Sequence, residues 1–136
     1  MSCMVVRMSN DTTTATAVET TVDDYLETWN ETDPTKRAAL IERSLGADLW
    51  YRDPLLEADG LAAYDGMIAA VQAQMPGLVM RRTSPIDTHR DVVRFNWALG
   101  APGEAPVFAG LDVAKTDADG KLHRIIGFAG ETIAAA

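Results

Sequence analysis

Cysteine is almost missing from this chain: Cys3 stands alone, so no internal disulfide and no thiolate metal cage can form. Histidine is nearly as scarce. His89 and His123 are the only two, far apart and without a carboxylate at ligand spacing, a poor basis for a metal centre. Basic residues are outnumbered, 12 Lys and Arg against 20 Asp and Glu for a net charge of −8, and they are scattered along the chain. A nucleic-acid surface needs the reverse, clustered cations facing phosphate. No apolar run approaches the ~20 residues that span a bilayer. Met4-Val5-Val6 is too short for a secretory h-region and no small-residue cleavage site follows it. No segment repeats, and neither a phosphate-loop nor a dinucleotide glycine pattern occurs. These gaps point to a cytoplasmic protein that binds neither nucleic acid nor membrane.

What is present is the balance of one globular domain: 136 residues, 47% apolar and 24% charged, enough to bury a core without cross-links. Residues 1–17 read as a flexible tail, because Ser9-Asn10-Asp11-Thr12-Thr13-Thr14 is polar and without period. Either Met1 or Met8 could be the start. The domain is expected over 18–131, with 132–136 a short C-terminal tail.

Val18, Val22, Tyr25, Leu26 and Trp29 recur at helical spacing, with Glu19, Asp23, Asp24 and Glu27 opposite them, which predicts a first amphipathic helix. Asp33-Pro34 reads as an N-cap followed by proline at the first helical position. That second helix should run through Ile41 and Leu45 and stop at Gly46. A short strand, Asp48 to Asp53, is cut off by Pro54. A third helix is expected from Leu61 to Met75, with Leu61, Tyr64, Met67, Ile68, Val71 and Met75 on one face and Pro76-Gly77 ending it. After it the period changes to two. Leu78–Ile86, Val92–Leu99, Val107–Ala114 and Leu122–Phe128 are four strand candidates, separated by turn-rich segments at 88–91, 100–106 and 117–120. Helices followed by hairpin-linked strands predict an α+β domain with a curved antiparallel sheet.

The candidate functional residues are polar groups that these periods place among apolar ones. Asp112 shares a strand face with Phe108 and Gly110. If that face is inside, its carboxyl must find a partner or hold its proton; if outside, it is an ordinary solvated acid. Asp53 stands before Pro54, where it is either a turn-former or an acid at a pocket mouth suited to act as a general base. Tyr25 is either a core aromatic or a phenol aimed into a pocket. Arg94 and Asn96 point away from Val93, Phe95, Trp97 and Leu99. Gly127 and Gly130, near a strand's end, suggest a bend.

In order, these pieces resemble the nuclear transport factor 2-like superfamily, in its SnoaL-like and ketosteroid isomerase-like branch. The resemblance spans about Val18 to Phe128. It rests on Tyr25-Leu26-Glu27-Thr28-Trp29, on Ala47-Asp48-Leu49-Trp50-Tyr51-Arg52-Asp53-Pro54, on the third helix led by Gly60, on Val93-Arg94-Phe95-Asn96-Trp97, and on Leu111 to Leu122. It implies a cone in which the sheet wraps three N-terminal helices around an apolar pocket. By that resemblance Asp53 is a base removing a proton alpha to a carbonyl. Tyr25 and a neutral Asp112 then donate hydrogen bonds to the developing oxyanion, a pattern for which this enzyme family is a standard example. Trp29, Tyr51, Phe95, Trp97 and Phe108 would line the pocket. Leu45 and Ile68 stand about where family members carry bracing tyrosines, and Arg94 with Asn96 lacks the second acid of an epoxide-hydrolase set. The resemblance thus implies a cofactor-free isomerase or cyclase acting by proton transfer on a cyclic or polyketide-like carbonyl compound, and a homodimer. A non-catalytic ligand-binding or dimeric accessory domain is the alternative on the same fold.

Overall fold

The computed structural model describes residues 17–130. Both expected tails lie outside the described residues, apart from residue 17, which is helical. The first helix, α1, covers residues 17–28 and places Val22, Tyr25 and Leu26 in the core, with Trp29 buried in the turn that follows. Helix α2, Pro34–Ser44, begins as expected: the Asp33 carboxylate accepts the Lys36 N–H at 2.9 Å, and Pro34 opens the helix without wasting an amide.

The end of α2 differs from the expectation. The chain turns extended at Leu45, and strand β1 runs Leu45–Arg52, three residues earlier than predicted. Leu45 pairs with Leu122 across the sheet, so tertiary pairing overrides the helical period there. Gly46 is not a helix stop. A Cβ on it would lie 2.6 Å from Asp117 Oδ2, so the glycine allows a loop to approach the strand.

Strand β2, Glu57–Asp59, was not foreseen; three residues carry no readable alternation. It pairs antiparallel with β1, Arg52 opposite Glu57. Helix α3, Leu61–Gln74, follows Gly60 at φ 88°, a conformation few other residues adopt. Tyr64 and Ile68 are its fully buried residues, with Leu61, Met67, Val71 and Met75 packed partly against the core.

The strand expected over Leu78–Ile86 is shorter, β3, Val79–Arg82, and a further strand, β4, Asp87–His89, forms mostly where the turn at 88–91 was expected. Both pair with β5, Val92–Gly100, at opposite ends, with Pro85 in the break between them, where it costs no ladder hydrogen bond. The turn after β4 shrinks to Arg90-Asp91, with Arg90 at φ 52°. Strands β6, Phe108–Thr116, and β7, Leu122–Ala129, complete the sheet.

The strands lie in the order β2-β1-β7-β6-β5-β3, with β4 extending β5. All neighbours are antiparallel except β1 and β7, which run parallel and make the sheet mixed. Register shifts in β1 against β7 and in β6 against β7 mark irregularities of the kind that bend a sheet. The result is an α+β domain with an unclosed, curved sheet and a core of α1 and α3 aromatics against Val93, Phe95, Ala114 and Ile125. Arg82 ties β3 to α1 through Asp23 at 3.0 Å and Glu19 at 3.1 Å. No described helix is long and apolar enough to cross a membrane.

Candidate active site

The inward face of β6 settles which way Asp112 points. Gly110, Asp112 and Ala114 are buried, while Leu111 and Val113 are half-exposed on the other side. Asp112 is 3% exposed. Both its oxygens are occupied: Tyr25 Oη–H donates to Oδ2 at 2.7 Å, and Trp97 Nε1–H donates to Oδ1 at 3.0 Å. Burial lifts the carboxyl, the two hydrogen bonds pull it back, and the charge of Asp53 adds to the rise, leaving its pKa at about 7. The same burial, with Asp112 close by, holds the Tyr25 phenol well above its ordinary value, so Tyr25 keeps its proton and remains a donor.

Asp53 follows directly on β1 and does two things. Its Oδ1 accepts the amides of Leu55 and Leu56 at 2.8 and 2.7 Å, forming the turn into β2. Its Oδ2 accepts Tyr51 Oη–H at 2.6 Å. Three donors therefore converge on the Asp53 carboxylate, and the turn-former and the pocket acid are the same residue. Tyr51 is pushed upward by burial, Asp112 and Asp53, in that order, and also stays protonated.

Gly127 brings the two acids together. It sits opposite Asp112 in the β6–β7 register, and a Cβ there would meet Asp112 Oδ1 at 2.9 Å and Asp53 Cβ at 3.2 Å. The missing side chain is the space both acids occupy. Gly110 serves Trp97 in the same way: a Cβ on it would lie 2.6 Å from Trp97 Cζ2 and 2.0 Å from the Phe128 carbonyl oxygen.

The pocket has a volume of about 110 Å³. Tyr25, Asp53, Asp112, Trp29, Tyr51, Trp97 and Phe108 line it, together with Pro54, Leu55, Leu56, Val71, Met75, Met80, Leu99 and Ala129. Phe95 does not: it is 1% exposed and packs edge-on against Tyr25, ring centres 6.2 Å apart. The Trp29 indole N–H is buried without an acceptor among the described residues, a donor left for water or a bound molecule.

Tyr64 takes part of the bracing expected of other tyrosines. Its ring lies 6.4 Å from that of Tyr25 and 5.8 Å from that of Tyr51, but its hydroxyl pairs with Thr28 Oγ1 at 2.8 Å. Thr28 Oγ1–H in turn donates to the Tyr25 backbone carbonyl at 2.6 Å, so Tyr64 steadies the helix that carries Tyr25. Sequence reasoning missed Trp97 as a hydrogen-bond partner of Asp112, and Gly127 and Gly110 as the gaps that admit both groups. The cross-strand register of β5, β6 and β7 was the signal that could have found them.

Arg94 is exposed and pairs with Asp87 at 2.8 Å, away from the pocket, and Asn96 is half-buried on the same strand face. His89 is exposed; His123 Nδ1 stands 3.4 Å from Asp48 Oδ2 at the surface. Among the described residues no group of acidic, His or Cys side chains is placed to hold a metal.

No protein-family model and no curated protein matches the chain. Solved structures do. A SnoaL-like family protein from Agrobacterium tumefaciens, provisionally named an isomerase, superposes with a TM-score of 0.79 at 29% identity, over 85% of this chain and 99% of that one. An NTF2-like protein of unknown function from Exiguobacterium gives 0.66 at 20% identity, over 82% and 99%. A SnoaL-like protein from Jannaschia, provisionally named a polyketide cyclase, gives 0.66 at 16%, over 84% and 85%. The last two likenesses carry the fold alone. With this sheet, these helices and these neighbours, the chain has the nuclear transport factor 2-like fold, and its likeness is to the SnoaL-like proteins.

Proposed function

We propose that the chain is a cofactor-independent acid–base enzyme that moves a proton on a carbonyl compound held in the pocket. The observation that carries this reading is the pair of carboxyls flanking Gly127, one fixed by three donors and the other buried with a pKa of about 7. A carboxyl that burial holds protonated up to about pH 7, next to a second acid on the same pocket, offers a proton-bearing partner to a base in one site.

Asp53 is the base. Asp53 lines the pocket from the turn, and abstraction breaks a C–H bond alpha to the carbonyl while an O–H bond forms on the Asp53 carboxylate. The electron pair moves onto the carbonyl oxygen as an enolate. Tyr25 and Asp112 stand on the neighbouring wall to stabilise that oxygen, in a largely apolar pocket where a fixed donor is worth more than in water. The substrate is an apolar or aromatic carbonyl compound, matching Trp29, Met75, Met80 and Leu99 around it. The SnoaL-like neighbour named provisionally as an isomerase supports the same general class.

Incubation of the protein with a panel of ketones in D2O tests this. Deuterium is expected to enter the alpha position of at least one ketone faster than in buffer, read by NMR or mass. Ketones or phenols that bind without any exchange would instead favour the ligand-binding reading, in which Asp53 only shapes its turn.

A further inference from the structure

We infer that Trp97 is a positioning residue that confines the Asp112 proton to Oδ2, so that Asp112 reaches a bound oxygen through Tyr25 rather than beside it. This rests on the proton-transfer reading for its use, but its structural content does not depend on any substrate.

An indole N–H can donate and cannot accept. Trp97 Nε1 lies 3.0 Å from Asp112 Oδ1, so Oδ1 is an acceptor whether or not the acid is ionised. A proton placed on Oδ1 would set two hydrogens against each other and leave the part-buried indole without its acceptor. The 2.7 Å contact between Oδ2 and Tyr25 Oη has no such restriction, because a phenol oxygen can donate or accept. With Asp112 ionised, Tyr25 donates to it. With Asp112 protonated, Oδ2–H donates to Tyr25 Oη, and the Tyr25 hydrogen is released to turn into the pocket that Tyr25 lines.

The resemblance implied two donors side by side on one oxygen. The geometry points to a chain of two: Asp112 Oδ2–H to Tyr25 Oη, and Tyr25 Oη–H to the substrate oxygen. No covalent bond breaks in this chain; as the oxygen gains charge, each donor polarises the next. The device is built into the register. Trp97 faces Gly110 and Phe95 faces Asp112, so the indole crosses the bare glycine to reach an acid two residues along β6. The ionisable groups facing Asp112 are Tyr25 from α1, Tyr51 and Asp53 from β1 and its turn, and Tyr64 from α3; β7 offers Gly127, which has none.

The test is a ligand-free titration of the full chain by NMR, following indole 15N–1H signals and carboxyl 13C signals from pH 8 to pH 5. Trp97→Phe assigns the Trp97 signal by deleting it. In the wild type, the Trp97 N–H is expected to stay hydrogen-bonded and slow to exchange on both sides of the Asp112 midpoint. Loss of that bond as Asp112 takes its proton would place the proton on Oδ1 and overturn the inference. In Trp97→Phe the Asp112 midpoint is expected to move upward, by about one pH unit, a tenfold change in ionisation. An unmoved midpoint would also overturn it. A failure of the proton-transfer reading would show in the ketone exchange, which this titration does not use.

Discussion

At pH 8, Asp112→Asn is expected to be more stable than the wild type, by about 2–4 kcal/mol, or roughly 10 °C in Tm. The native Asp112 carboxyl holds its proton up to about pH 7, while the unfolded chain releases it near 3.8. Between those values the native state binds more protons, so stability falls as pH rises through the window. Above it the wild type keeps a buried charge beside Asp53. Asparagine has no proton to lose, and it fits the neutral arrangement: its Oδ1 accepts from Trp97 and its Nδ2–H donates to Tyr25 Oη. At pH 4 the advantage should nearly vanish. Thermal unfolding of both proteins from pH 4 to pH 8 checks this, and parallel curves would mean that Asp112 carries no such shift.

The second large effect is on rate. Asp53→Asn is expected to slow alpha-proton exchange by about 10²–10⁴-fold, the usual contribution of a positioned general base. The amide cannot take a proton at neutral pH. Its fold should survive, because the asparagine oxygen still accepts from the Leu55 and Leu56 amides and its Nδ2–H can donate to Tyr51 Oη. Exchange measured on samples matched for folded fraction separates the two roles of Asp53. A variant that loses stability but keeps its rate per folded molecule would leave Asp53 a turn-former only.

The helices and the long strands were legible where a clear period met a clear signal: Asp33-Pro34 at one start, Pro76-Gly77 at one end, Gly120 in the last hairpin turn. The boundaries that failed were decided by partners distant in sequence. Leu45 left its helix to pair with Leu122, and β4 formed in residues read mostly as a turn because β5 offers a second stretch to pair with beyond β3. The parallel join of β1 to β7 has no local signature at all.

Asp112, Asp53 and Tyr25 could be singled out by residue type and face, yet alternation could not say which face of β6 was inside. Helices packed on one side of the sheet decide that, and a single strand does not record it. Trp97 was legible as a pocket aromatic but not as a donor, since its reach to Asp112 depends on the absence of a side chain at Gly110. Phe95, read as a pocket residue, supports Tyr25 from behind.

The pH profile of alpha-proton exchange, run on wild type and Asp112→Asn with the same ketone, tests the central claim most directly. Exchange needs Asp53 ionised and Asp112 protonated. The wild-type rate should therefore fall as pH rises through about 7, the value at which Asp112 loses its proton. Asp112→Asn, which keeps a donor toward Tyr25 at every pH, should show no falling limb there. A wild-type rate that climbs through pH 7, or the same falling limb in both proteins, would contradict a neutral Asp112 at the oxyanion side of the pocket.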